Sequence, residues 1–207
     1  MREPYYTDNK QTIYLGDCLD ILKEIPDKSF DLVLTDPPYD KDFDLDGFIR
    51  SFLTKVKDNG SLITFIFPDD IWKIEIPSYQ ICVWEELYSP QGRITKKYRR
   101  FFDLILWFRK GQDYTFNNLT KYQNRGVFND YFEDKNEKQH PYQKPLSLIK
   151  KLIKIHSNKN DLILDPFMGS GTTLVAAKLL GRKAVGIDIS QQYCEIAKQR
   201  LLQEVLF

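Results

Sequence analysis

Sulfur and imidazole are scarce in this chain. Its three cysteines, Cys18, Cys82 and Cys194, are scattered and form no Cys-x-x-Cys pair. That argues against a disulfide framework or a cysteine zinc site and fits a reducing cytoplasm. The two histidines, His140 and His156, have no cluster of carboxylates beside them in sequence, so a metal site lacks a donor set. No apolar run is long enough to span a membrane, and residues 1–10 are polar and aromatic rather than leader-like. An excess of one charge is missing too. With 30 basic against 29 acidic side chains, no global field announces a polyanionic partner, and any nucleic-acid contact must come from a local patch. Repeats and low-complexity tracts are absent. The 207 residues suit one domain with a full core and perhaps one small insertion.

What the chain does have is an alternation of strand and helix patterns. Gln11–Leu15 reads as a strand, Gly16-Asp17 as its turn, and Cys18–Ile25 as a helix stopped by Pro26. Phe30–Thr35 is an apolar strand. Asp40–Asp46 is acidic and favours the start of a helix marked by Phe48, Phe52, Leu53 and Val56, with Asn59-Gly60 as its expected end. Ser61–Phe67 is another strand, and Pro68-Asp69-Asp70 starts a short helical segment running to Ile76. Tyr79–Trp84 and Asp103–Phe108 read as paired strands. From Lys110 to Gln139 the pattern breaks into Asn, Asp, Lys and irregular aromatics, which reads as an insertion or long loop rather than a sheet layer. Regularity returns with a helix over Leu146–Ile155, Pro145 at its first turn. A strand over Asp161–Asp165 and a helix over Thr172–Leu180, closed by Gly181, follow. Lys183–Asp188 is the next strand, and Gln191–Leu202 is a last helix capped by Ser190. The sum is an α/β protein with a doubly wound, mostly parallel sheet.

Two stretches carry chemistry. Asp36-Pro37-Pro38-Tyr39 follows the strand Phe30–Thr35, so a carboxylate, two prolines and an aromatic ring sit at a strand's C-terminal end. In open α/β sheets that edge is where ligands bind. Read alone, Asp-Pro-Pro is also a plain turn with an Asp cap. The second stretch, Asp165-Pro166-Phe167-Met168-Gly169-Ser170-Gly171-Thr172-Thr173, runs from a strand through a glycine turn into a helix. It is not a Walker loop, having no such lysine, and Leu174 stands where the third glycine of Gly-x-Gly-x-x-Gly would be. An acid just before the turn is awkward for a pyrophosphate and suits an ammonium. Asp188 ends the next strand, roughly 20 residues on, where an acid receives ribose hydroxyls in dinucleotide folds.

Together, and in this order, the two stretches resemble the amino-group DNA methyltransferases, which move a methyl from S-adenosylmethionine to a base nitrogen. The resemblance covers nearly the whole chain and weakens between about Pro68 and Gln139. It implies a Rossmann-like methyltransferase fold in circularly permuted, β-type order, with chain termini close together. It also implies a catalytic domain of residues 1–110 and 140–207, with 111–139 a short target-recognition insertion. By the same resemblance Asp36, Pro37, Pro38 and Tyr39 are catalytic. The cofactor site takes in Asp17 and Cys18, Asp36, and His140 and Lys144 of His140-Pro141-Tyr142-Gln143-Lys144-Pro145. Asp165, Pro166, Phe167, Gly169, Ser170, Gly171, Thr172, Asp188 and Ile189 complete it. Plainer roles stand beside several of these: Asp17 as a turn cap, Phe167 as core, His140 as a structural hydrogen bond.

The chemistry expected of such a site is simple. An exocyclic amine is a poor nucleophile because its lone pair is delocalised into the ring. Asp36 can accept one N–H and the Pro37 carbonyl the other, favouring a tetrahedral nitrogen and the positive charge that develops on it. Tyr39 offers a face for a base flipped out of the duplex. Arg93, Lys96, Lys97, Arg99 and Arg100 form a basic run suited to phosphates, and Lys121 and Arg125 add to it within 111–139. A solvated loop is the plainer reading of that run. The expected partner is double-stranded DNA, with a homodimer and a companion restriction endonuclease compatible with the resemblance. Asp at position 36 favours adenine N6 over cytosine N4 within the family. An RNA-directed relative, a nicotinamide oxidoreductase and a catalytically silent DNA-binding subunit are the other readings. One departure is noted: where the family often has Glu, Phe102-Asp103-Leu104 carries Asp103.

Overall fold

The computed structural model describes residues 2–38, 40, 42–77, 79–85, 102–118, 126–131 and 143–203. Their strands join into one sheet in the order β1-β2-β9-β8-β3-β4-β6-β5-β7. The strands are β1 (Tyr6–Thr7), β2 (Gln11–Leu15), β3 (Phe30–Thr35), β4 (Val56–Ile66), β5 (Tyr79–Glu85), β6 (Phe102–Arg109), β7 (Val127–Phe128), β8 (Leu162–Asp165) and β9 (Lys183–Asp188). β2, β9, β8, β3 and β4 run parallel, while β6 is antiparallel to both β4 and β5.

Strand alternation sorts the core into two layers. Leu32 and Leu34 of β3 face one side, with α3 (Leu146–His156), α4 (Thr172–Leu179) and α5 (Gln191–Leu202) packed over them. Val33, between them, faces the other side, with α1 (Cys18–Glu24) and α2 (Leu45–Lys55). Buried on both faces, such strands read as continuous apolar runs, which is why their sequences stood out. β8 feeds α4 on one face and β3 feeds α2 on the other. The order therefore reverses between these hydrogen-bonded neighbours, and a crevice opens beyond their C-terminal ends.

Local chemistry fixes the element ends. Asp17 caps α1, Asp44 caps α2 and Ser190 caps α5, each accepting from a first-turn N–H. The Tyr5 hydroxyl donates to Glu195 of α5 at 2.8 Å, tying the start of the chain to its last helix. Three expectations change. α2 stops at Lys55, not at Asn59-Gly60, because Val56 already pairs with Phe30 as the start of β4. The register then shifts so that Leu32 meets Ser61, and Asn59-Gly60 fall in that irregularity. The segment after β4 is a single 3-10 helix, Pro68–Lys73, ending before Ile76. Within the stretch read as non-sheet, Val127–Phe128 adds an edge strand parallel to β5. No helix among the described residues is long and apolar enough to cross a membrane.

Candidate active site

The strand ends at the crevice enclose a cavity of about 870 Å³. Gly16, Asp17 and Cys18 reach it after β2, Asp36, Pro37 and Pro38 after β3, and Phe67 after β4. Asp165 at the end of β8 reaches it with Pro166, Phe167, Gly169, Ser170 and Thr172 beyond, as do Asp188 at the end of β9 and Ile189 beyond it. The two stretches singled out in the sequence, about 130 residues apart, thus share one wall because β3 and β8 are hydrogen-bonded neighbours. Lys144 enters from the lead-in to α3. Gly171 does not line the cavity. It sits at φ 79° at the start of α4, where a Cβ would come within 2.7 Å of the Ala197 Cβ on α5. Tyr39, His140, Arg93, Lys96, Lys97, Arg99, Arg100, Lys121 and Arg125 lie outside the described residues.

The glycine turn is held by carboxylates. Asp188 accepts from Gly169 N–H at 3.0 Å and from Ser190 N–H at 2.8 Å. Asp165 accepts from Phe167 N–H at 3.2 Å. The Gly169 N–H that a pyrophosphate would need is therefore engaged by protein. Arg200 of α5 donates to the Ser170 carbonyl at 2.7 Å and to the Ser170 and Thr172 hydroxyls at 3.1 Å each. The Ser170 hydroxyl donates to Gln143 at 3.1 Å, joining the turn to the residue before Lys144. Asp17 lines the cavity and also caps α1 through Leu19 N–H at 2.7 Å. Phe167 does double duty as well: it faces the cavity and packs against Phe48, ring centres 5.2 Å apart.

The Asp36 carboxylate has a cationic neighbour. Lys144 Nζ donates to Asp36 Oδ2 at 2.7 Å and lies 3.6 Å from Asp103 Oδ2. Sequence reasoning placed Lys144 with the cofactor and marked Asp103 only as a departure, because 108 residues separate Lys144 from Asp36. Gln143, Ser190 and Tyr193, which also line the cavity, had not been assigned there. The signal available for Gln143 was its place beside Lys144, and nothing local marked Tyr193.

Charge decides what this cavity holds. Among the described residues its wall carries Asp17, Asp36, Asp40, Asp165 and Asp188 against the ammonium of Lys144, so it favours a cation. Burial pushes the Asp165 carboxyl up to about 7, with the charges of Asp36 and Asp188 adding to the effect. A cationic group beside Asp165 would hold it ionised. Thr35 is also among the residues lining the cavity, and its buried hydroxyl has no hydrogen-bond partner among the described residues. The thiols are unsuited to nucleophilic work: burial pushes Cys18 and Cys194 up to about 12, and Asp17 adds to the shift at Cys18. His156 is buried against Trp107, ring centres 4.6 Å apart, and burial pushes it down to about 3. Among the described residues no group of His, Cys, Asp and Glu could hold a metal ion.

Residues 30–199 match the family model described as DNA methylase, of N6/N4 type. The chain is 29% identical to the type II methyltransferase M2.LlaDCHI of Lactococcus lactis subsp. cremoris, over 97% of this chain and 93% of that one. Among solved structures it is similar to M1.HpyAVI in complex with SAM, with TM-score 0.79 and 31% identity over 93% of this chain and 100% of the other. The fold is also that of the PvuII DNA methyltransferase, described as cytosine-N4-specific: TM-score 0.78, 20% identity, covering 100% of this chain and 91% of that one.

Proposed function

This chain belongs to the N6/N4 DNA methylase family, and we propose that it methylates adenine N6 in double-stranded DNA. It is an amino-group, site-specific DNA methyltransferase that uses S-adenosylmethionine. When bound, that cofactor supplies an electrophilic methyl on a sulfonium. The cavity's residues fit it. Asp165 and the turn through Phe167, Gly169 and Thr172 take the ammonium end, and Asp188 and Asp17 take the ribose and adenosine end. The observation that carries the reading is Asp36 standing in the same cavity as Asp165 and Asp188, at the point where the strand order reverses.

In this reading Asp36 accepts one N–H of the target amine and the Pro37 carbonyl accepts the other. Both stabilise charge that appears on nitrogen as the bond forms. Holding the amine in line supplies much of the remaining acceleration. A base within a duplex cannot reach this depth, so the base flips, with Tyr39 as its stacking face. Residues 111–139 act as the target-recognition segment of a catalytic domain made of 1–110 and 140–207. That segment is short, which suits a brief recognition sequence or help from a second subunit. The type II designation of the relatives supports a companion restriction endonuclease.

Asp at position 36 is what favours adenine, and that preference comes from the family pattern. Both amines present two N–H donors, so the carboxylate by itself would serve either. The test is to incubate the protein with unmethylated duplex DNA and methyl-labelled S-adenosylmethionine, digest to nucleosides, and separate them with mass detection. Label in N6-methyladenine nucleoside is expected. Label confined to N4-methylcytosine nucleoside would overturn the choice of base and leave the amino-transfer chemistry standing.

A further inference from the structure

Residues on or just after four strands converge on the Lys144 ammonium. Asp36 follows β3, and Lys144, from the lead-in to α3, donates to its Oδ2 at 2.7 Å. Asp103 of β6 lies 3.6 Å from the same ammonium. Phe65 of β4 and Trp84 of β5 place their ring centres 5.0 Å and 5.6 Å from it. Lys144 is 8% exposed and Asp103 is 6% exposed. An ammonium in such a place is tolerated only when it is paired, and here two carboxylates and two aromatic faces fix it. The lysine has a narrow choice of positions, and the carboxylate bonded to it inherits that restriction.

Charge makes the arrangement specific to this chemistry. A methyl donor brings a sulfonium, and the accepting nitrogen becomes positive as the new bond forms. A bare ammonium beside both would oppose the reaction. Paired with Asp36 and backed by Asp103, it is formally outweighed by two carboxylates, so the cluster still favours a cation. Asp103 is thus the counter-charge that lets a lysine stand beside a site of developing positive charge.

We infer that Lys144 is a positioning residue for methyl transfer. It holds Asp36 in the orientation that receives the target amine, and Asp103 neutralises it, so that its contribution runs through Asp36 and not through cofactor binding. The inference rests on the reading of Asp36 as the group that meets the amine.

The test is a double-mutant cycle with two readouts: single-turnover transfer of labelled methyl to duplex DNA, and S-adenosylmethionine affinity by calorimetry. Lys144→Met is expected to slow transfer by about 100-fold, the scale for losing one organising polar contact in an active site, with cofactor affinity within about threefold. In an Asp36→Asn background the same change should cost less than about threefold, because the residue it acts through is already disabled. An equal loss in both backgrounds overturns the inference, as does a loss of cofactor affinity that matches the loss of rate. Should Lys144→Met fail to fold, Asp103→Asn carries the test, since it removes the counter-charge and keeps the shape. It should slow transfer at least about tenfold at unchanged cofactor affinity, and an unchanged rate overturns the inference. Failure of the underlying reading has a different signature: Asp36→Asn by itself then keeps wild-type transfer.

Discussion

Asp165 shows at the scale of one residue what a carboxyl buried in this cavity costs in stability. Its carboxyl is buried and pushed up from 3.8 to about 7. The folded protein therefore holds that proton more tightly than the unfolded chain does. Stability is highest below the unfolded value and falls as pH rises from about 4 through 7. Asp165→Asn removes the ionisation. In urea denaturation without cofactor, the variant should match wild type near pH 4 and exceed it at pH 8 by on the order of 2–4 kcal/mol. The same variant should bind S-adenosylmethionine more weakly, having lost the charge proposed to meet the ammonium. A wild-type pH slope in the variant would show that Asp165 is not held as described. Asp188 differs, since it satisfies Gly169 and Ser190 N–H groups while facing the cavity. Asp188→Ala should weaken S-adenosylmethionine and S-adenosylhomocysteine alike by about 1–3 kcal/mol, because both carry the ribose. It should also lower the melting temperature by freeing two backbone donors. Unchanged affinity in calorimetry would remove Asp188 from the cofactor site.

Elements were legible in the sequence wherever one local rule decided them. The strands Phe30–Thr35 and Lys183–Asp188 and the helix Gln191–Leu202 lie where apolar runs, caps and turns put them. α2 was misjudged at its end because Val56 fits the helical spacing of Phe48 and Phe52, yet its backbone pairs with Phe30. Long-range pairing outweighs local periodicity there, and no neighbouring residue announces it. The Lys144 contact was hidden for the same reason, being made across 108 residues. Glycine turns are the opposite case, since their constraint is local. Gly171 opens α4 at φ 79° with Ala197 of α5 against it. Gly171→Ala should therefore destabilise the protein by about 1–3 kcal/mol, combining left-handed strain with a clash. Chemical denaturation checks this, and a loss within about 0.5 kcal/mol would mean that the α4–α5 contact relaxes freely.

The whole molecule is a frame that delivers distant residues to one edge. Five parallel strands end around the cavity, and the reversal of strand order between β8 and β3 leaves room there. Near-neutral overall charge means that duplex binding must come from local patches. If Lys96, Lys97, Arg99 and Arg100 meet phosphates, replacing any one by Ala should lower the slope of log affinity against log salt by about 1 while sequence preference stays. Slopes equal to wild type would leave that run as a solvated loop. The most direct measurement concerns the junction of the two motif-bearing stretches in this frame. Asp36→Asn is to be compared with wild type for methyl transfer to duplex DNA and for S-adenosylmethionine affinity. Transfer should fall by at least about 100-fold while affinity stays within about threefold, because Asp36 is proposed to act on the target amine. Wild-type transfer in the variant, or a loss of cofactor affinity equal to the loss of rate, would contradict the central role given to Asp36.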